Sequence, residues 1–385
     1  MVSLIYLSHN EIESVYPITE SGEPLPNLKL LGKPIGVRVI ESFENEGIND
    51  MSVYYSNISS EVYELIGKRV KLEETGKLDF LNSLKNAVEN SNSQEIILVL
   101  GSFLLNEGFI RELLYKWNEK GSSMLIALVP GSQKLEDLVW KIGVDVEFVE
   151  GNVKKAYLIK NNASSFYIFS GIIVSEKEFL LRKIDLSIKD YNQALLKLIN
   201  ETNPPFYIYT GEYVSFASPW SILNAMKMLL QKISGQFISK EAKVSPTAVL
   251  EGPVLIEDGA VIDHYTVIKG PVYIGKRSFI GAHSLVRNYV SLEESSVLGS
   301  GVEVKRSYIG PRVTIGSNCL VTDSILGENA TFKPFVVTLN YDPHEAKRLG
   351  EFYIKRGVIL GKGSLINGGS VLKPGTIIES RKIYP

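Results

Sequence analysis

A chain of 385 residues exceeds one ordinary hydrophobic core and points to two or three domains. Its 41 basic and 43 acidic side chains leave a formal charge of −2, too small a field to gather nucleic acid or an anionic membrane surface. The single cysteine, Cys319, excludes an intramolecular disulfide framework or a cysteine-cluster metal site; it reads as packing and fits a reducing, cytoplasmic setting.

Residues 1–10 have neither a basic n-region nor a long apolar stretch, so no signal peptide or membrane anchor is expected. No apolar run approaches the roughly 18 residues of a spanning helix. From residue 1 to about 235, short β-rich apolar segments alternate with helical ones. Strands are expected at Val2–Leu7, Glu95–Leu100, 124–129 and 157–159, and helices at 35–46 and 107–119. That alternation predicts an α/β, Rossmann-like domain with crossover helices. Residues 219–232 read as its last helix, with Pro219 in the first turn and Ile222, Met226 and Leu229 on one face, joining the two domains.

Beyond residue 240 the pattern changes to a period of six. Every sixth residue from Val244 is aliphatic: Val244, Leu250, Ile256, Ile262, Ile268, Ile274, Ile280, Val286, Leu292, Leu298 and Val304. After a shift of phase it resumes at Ile309, Ile315, Val321, Leu326 and Phe332, then at Ile354, Leu360, Ile366, Leu372 and Ile378. Glycine follows several of these, as in Ile274-Gly275 and Leu360-Gly361. This is the signature of a hexapeptide-repeat parallel β-helix, the aliphatic residue pointing inward and glycine relieving crowding at the corner. The expected organisation is an α/β domain over 1–235 and a β-helix over 236–385. The one break, 339–350, reads as a projecting loop.

The first half also carries a resemblance. Tyr16-Pro17-Ile18-Thr19, Pro24, Gly32-Lys33-Pro34-Ile35 and Glu41-Ser42-Phe43 resemble the opening of the sugar-1-phosphate nucleotidyltransferases. Leu98-Val99-Leu100-Gly101, Phe103 through Leu114, Gly171 and Trp220 through Leu230 continue it. The resemblance implies the nucleotidyltransferase fold with a left-handed β-helix behind it. In that family catalysis is positioning plus neutralisation of phosphate charge, with Mg²⁺ as cofactor.

Four family positions carry other residues. The segment after the first strand, Leu7-Ser8-His9-Asn10-Glu11-Ile12-Glu13-Ser14-Val15, has no glycine for a phosphate-binding nest and two carboxylates that repel a triphosphate. Leu25 stands where the family has lysine, with Lys29 or Lys33 as nearby substitutes. Ser102 and Phe216 stand where it has metal carboxylates, and Mg²⁺ wants carboxylate oxygens. In the tail, Val302-Glu303-Val304-Lys305-Arg306-Ser307 resembles an amino-sugar-phosphate acetyltransferase motif, but Ser317 replaces its general-base histidine. Asn340-Tyr341-Asp342 matches a sugar-phosphate contact of bifunctional members, and His344 and Lys347 beside it are the candidate base and phosphate contact. His264 and His283 fall at non-inward positions.

The expectation is a nucleotidyltransferase-like protein without transferase activity and without a bound metal. It would act as a regulatory or assembly subunit beside an active paralogue, form a homo-oligomer, and take a sugar phosphate or nucleotide sugar as ligand. The alternative is an enzyme: a divergent nucleotidyltransferase using Mg²⁺, or an acetyltransferase using acetyl-CoA and His344.

Overall fold

The computed structural model describes residues 2–9, 15–20, 23–55, 57, 59–75, 78–131, 139–159, 166–350 and 354–385. They form two compact units. One holds Met1–Ser14, Gly22–Asn27 and Pro34–Ser218, the other Val15–Ser21, Leu28–Lys33 and Pro219–Pro385.

The first unit is built on a mixed sheet ordered Asn152–Leu158, Ile142–Glu147, Tyr167–Glu176, Glu95–Leu100, Val2–Leu7, Met51–Tyr55 and Lys71–Glu74. Val2–Leu7 pairs in parallel with both Met51–Tyr55 and Glu95–Leu100, so the chain leaves it once to each side. In such sheets the crevice for ligands lies outside the carboxyl ends of the strands at this reversal. The strands expected at Val2–Leu7 and Glu95–Leu100 are present as read, and that at 124–129 extends to Pro130. The strand expected at 157–159 is the end of a longer one, Asn152–Leu158. The expected helices are present as Ile35–Glu44 and Phe109–Lys120, and bury residues such as Ile40, Phe43 and Leu113.

The second unit is an all-β left-handed parallel β-helix of three parallel sheets. Coils repeat after eighteen residues, as in Ile256↔Ile274, and lose one residue at Leu292↔Ile309, which is the phase shift visible in the sequence. The hexad residues from Ile256 to Phe332, together with Leu360, Ile366, Leu372 and Ile378, line one continuous core. Val244 and Leu250 are only partly buried, because no coil lies beneath them.

Two expectations are corrected here. Ile354 is 40% exposed and is no rung of the ladder; the coil resumes at Ile359–Leu360, which pairs directly with Ile325–Leu326. The break is not all loop: Asp342 caps a short helix, Pro343–Leu349, accepting N–H bonds from His344 (2.8 Å) and Glu345 (3.3 Å). The helix read at 219–232 spans Ser221–Leu230 with Trp220 at its N-cap, so Pro219 precedes it.

Candidate functional site

The carboxyl ends of Val2–Leu7 and Glu95–Leu100 bring Ser102 beside Tyr6, hydroxyl to hydroxyl at 2.5 Å. Both residues are buried. Phe216 follows the Tyr213–Ser215 strand and has no exposed surface. A hydroxyl engaged by a phenol and a buried phenyl ring are not a Mg²⁺ ligand set, so these two positions do not fit the ion. Leu25 is buried in a short 3-10 helix, Leu25–Asn27. Lys29, the nearby substitute, holds Glu294 at 2.9 Å, with its side chain 15% exposed. Residues 10–14 of the expected phosphate segment lie outside the described residues; Ser8 and His9, which lead into it, are buried, and the His9 ring contacts the Leu78 carbonyl at 3.0 Å.

Trp140 closes the same end of the sheet. Its indole N–H donates to the Leu100 carbonyl at 2.9 Å, and its ring packs among Phe80, Phe169 and Tyr191. Gly171, at φ 89°, makes room for it. A Cβ there would meet the indole Cδ1 at 2.7 Å and the Leu100 oxygen at 2.8 Å.

On the β-helix, Ser317 sits half-buried at a corner between strands Thr314–Ile315 and Leu320–Thr322. Asn340, at the base of the insertion, donates to Asp323, which also accepts both Nε (2.5 Å) and Nη2 (2.7 Å) of Arg306. Tyr341 is half exposed, with the Lys355 ammonium 5.9 Å from its ring centre. His344 and Lys347 are exposed on the short helix. The structure therefore joins Asn340 to the β-helix wall, and spends Asp342 on a helix cap. His264 is exposed, its Nδ1 2.9 Å from the Ser245 hydroxyl, and His283 is exposed and stacked on Tyr265. Cys319 is buried and accepts the Val336 N–H at 3.3 Å.

Lys305, within the 302–307 motif, is part of a larger group of cations on the same wall that the motif alone did not reveal. Lys269, Arg287 and Lys305 stand in register on successive coils. Glu251 pairs with Lys269 at 3.0 Å and Glu303 with Arg287 at 2.7 Å. Burial, with the charges of Arg306 and Arg287 close by, pulls Lys305 below the ordinary lysine pKa; Lys355 adds to this and Asp323 opposes it. An ammonium so placed gains from an added anion. The eighteen-residue spacing of these three cations was the available signal.

An α/β sheet with its reversal between two central strands, followed by a hexapeptide β-helix, is the plan the sequence resemblance leads one to expect. The chain is similar to sugar-1-phosphate nucleotidyltransferases that carry such a β-helix. The family model described as GMPPB C-terminal domain matches residues 268–384. The protein named bifunctional protein GlmU from Methanocaldococcus jannaschii is 29% identical over 93% of this chain and 87% of its own length. One from Sulfurisphaera tokodaii, named bifunctional sugar-1-phosphate nucleotidylyltransferase/acetyltransferase, is 28% identical over 97% and 93%. A second bifunctional protein GlmU, from Methanococcus vannielii, is 26% identical over 96% and 90%. Among the described residues, no helix is long and apolar enough to cross a membrane.

Proposed function

We propose that this protein is a nucleotidyltransferase-like subunit without transferase activity, which binds a sugar phosphate or nucleotide sugar and regulates or assembles with an active paralogue. The observation that carries the reading is Ser102. At the carboxyl end of the central strand, where the family resemblance calls for a metal carboxylate, a buried hydroxyl is engaged by Tyr6. Phosphoryl chemistry without a metal ligand there lacks the means to neutralise the charge on the transferred group. The ligand half of the reading rests on Lys305, an ammonium crowded by Arg287, Arg306 and Lys355 on an accessible wall.

A homo-oligomer is part of the proposal. Val249, Val267 and Leu285, and then Leu320, Val337 and Val371 beyond an intervening Glu303, sit at one register position on the outward side of that sheet, and aliphatic patches of this kind favour association. Light scattering at micromolar concentration is expected to give more than one chain per particle, and a monomer overturns this part.

The decisive experiment incubates the protein with Mg²⁺, each nucleoside triphosphate and a panel of sugar 1-phosphates. No pyrophosphate is expected, and its release with any pair overturns the reading. The second reading, acetyl transfer from acetyl-CoA to an amino-sugar phosphate, is favoured by the Arg287–Lys305 ladder, whose Lys305 lies within the 302–307 motif. It requires a base that Ser317 does not supply, and coenzyme A release from acetyl-CoA incubated with an amino-sugar phosphate would establish it against the first.

A further inference from the structure

The stretch Leu28–Lys33 belongs to the β-helical unit, although some 200 residues separate it from the first coil. Its turn passes through two successive left-handed residues, Leu31 at φ 47° and Gly32 at φ 72°. Successive backbone N–H groups in such a turn converge and form a concavity for an oxyanion. Here an oxyanion already fills it. The Leu31 N–H donates to Oε1 of Glu293 at 2.8 Å and the Gly32 N–H to Oε2 at 2.9 Å, one amide to each carboxylate oxygen. The Ser291 hydroxyl adds a bond to Oε1 at 2.6 Å. Glu293 has no exposed surface.

The surroundings repeat the same pairing. Lys29 places its ammonium on the adjacent carboxylate, Glu294, at 2.9 Å. The Tyr308 hydroxyl donates to the Lys29 carbonyl at 2.8 Å, and burial near Glu293 pushes this phenol well above the ordinary tyrosine range. A Cβ on Gly32 would collide with the Tyr273 hydroxyl, so only glycine lets the turn approach this closely. A buried carboxylate is costly unless charge-assisted bonds repay its lost hydration, and two amides aimed at its two oxygens do so.

We propose that the Leu31–Gly32 turn is an anion nest carrying its own resident anion, and that the Glu293 carboxylate fastens the Leu28–Lys33 strap to the β-helix. The nest is closed to external ligands in the native chain. It accepts a small oxyanion of phosphate size once the Glu293 side chain is removed. This is separate from the Lys305 wall and does not depend on the sugar-phosphate reading.

The test is anion rescue in the full chain. Glu293→Ala is expected to melt lower than the parent. Inorganic phosphate at about tenfold its Kd is expected to raise the variant's midpoint by about 3 °C or more over chloride of equal ionic strength. The parent, its nest filled, should not share that gain. Phosphate that leaves Glu293→Ala unmoved, or lifts parent and variant alike, overturns the proposal. Should Glu293→Ala not fold, the near-isosteric Glu293→Gln turns an amide donor toward two amide donors. Hydrogen exchange at Leu31 and Gly32 should then quicken about tenfold or more, the loss of roughly one charge-assisted bond, while the Ile309 amide stays protected. Unchanged exchange at both turn amides overturns it equally.

Discussion

Arg287 and Lys305 stand opposite one another on consecutive coils, paired in register, so two positive charges are stacked one strand spacing apart. Like charges directly opposite in a sheet are unfavourable, and Glu303 relieves Arg287 while Lys305 keeps a depressed pKa. Lys305→Ala is therefore expected to hold or slightly raise the melting temperature while weakening sugar 1-phosphate binding at least about tenfold, the loss of one charge-assisted contact. Calorimetric titration beside thermal melting checks both arms. The pH dependence follows from the same shift. Lys305 is charged below its lowered pKa and neutral above it, so affinity should fall with rising pH before ordinary lysines titrate. Lys305→Ala should flatten that fall.

Gly171→Ala is expected to cost about 3 kcal/mol or more, since a Cβ would strike Trp140 and the Leu100 carbonyl while occupying a left-handed backbone. Loss of the Trp140–Leu100 hydrogen bond should accompany it. Denaturant unfolding, with indole fluorescence as the probe, reads both.

Restoring a carboxylate does not restore a metal site. Ser102→Asp buries a charge against the Tyr6 hydroxyl and is expected to cost about 2 kcal/mol or more. Mg²⁺ should leave its melting temperature unchanged, because Phe216 offers no second ligand. A magnesium-dependent rise would show that another carboxylate reaches the site.

His344→Ala should change stability by less than about 0.5 kcal/mol, the side chain being exposed and the cap bond made by its backbone N–H. It should also leave ligand binding unchanged. Asp342→Ala removes the helix cap and should cost about 1 kcal/mol of local stability, visible as faster amide exchange at His344 and Glu345.

The β-helix was legible because its physics is periodic. One inward aliphatic per six residues leaves a mark that needs no knowledge of contacts, and Ile256 through Phe332 are buried as that mark requires. Ile354 misled because an insertion can end on an aliphatic residue that happens to keep the count. The Asp342–Pro343 pair signals a helix start, which the reading of 339–350 as a loop overlooked. Ser102 and Phe216 could be noticed as substitutions, but the Tyr6 partner of Ser102 lies 96 positions away and emerges only from strand pairing. The Glu293 clasp on Leu31 and Gly32 spans still more of the chain and leaves no local trace.

The ladder passes over the insertion without losing step: Tyr308 pairs with Ile325, and Ile325 with Ile359, although the second connection is twice as long. Doubling a closed loop adds only about 0.6 kcal/mol of entropy, a sum that one restored rung repays. Asn340, bonded to Asp323, and the buried Val358 hold the two ends of the insertion, and residues 341–350 between them are a margin of the solenoid. That margin can be lengthened, shortened or exchanged with almost no tax on folding, so diversification of surface chemistry can concentrate there while the coils above and below stay fixed.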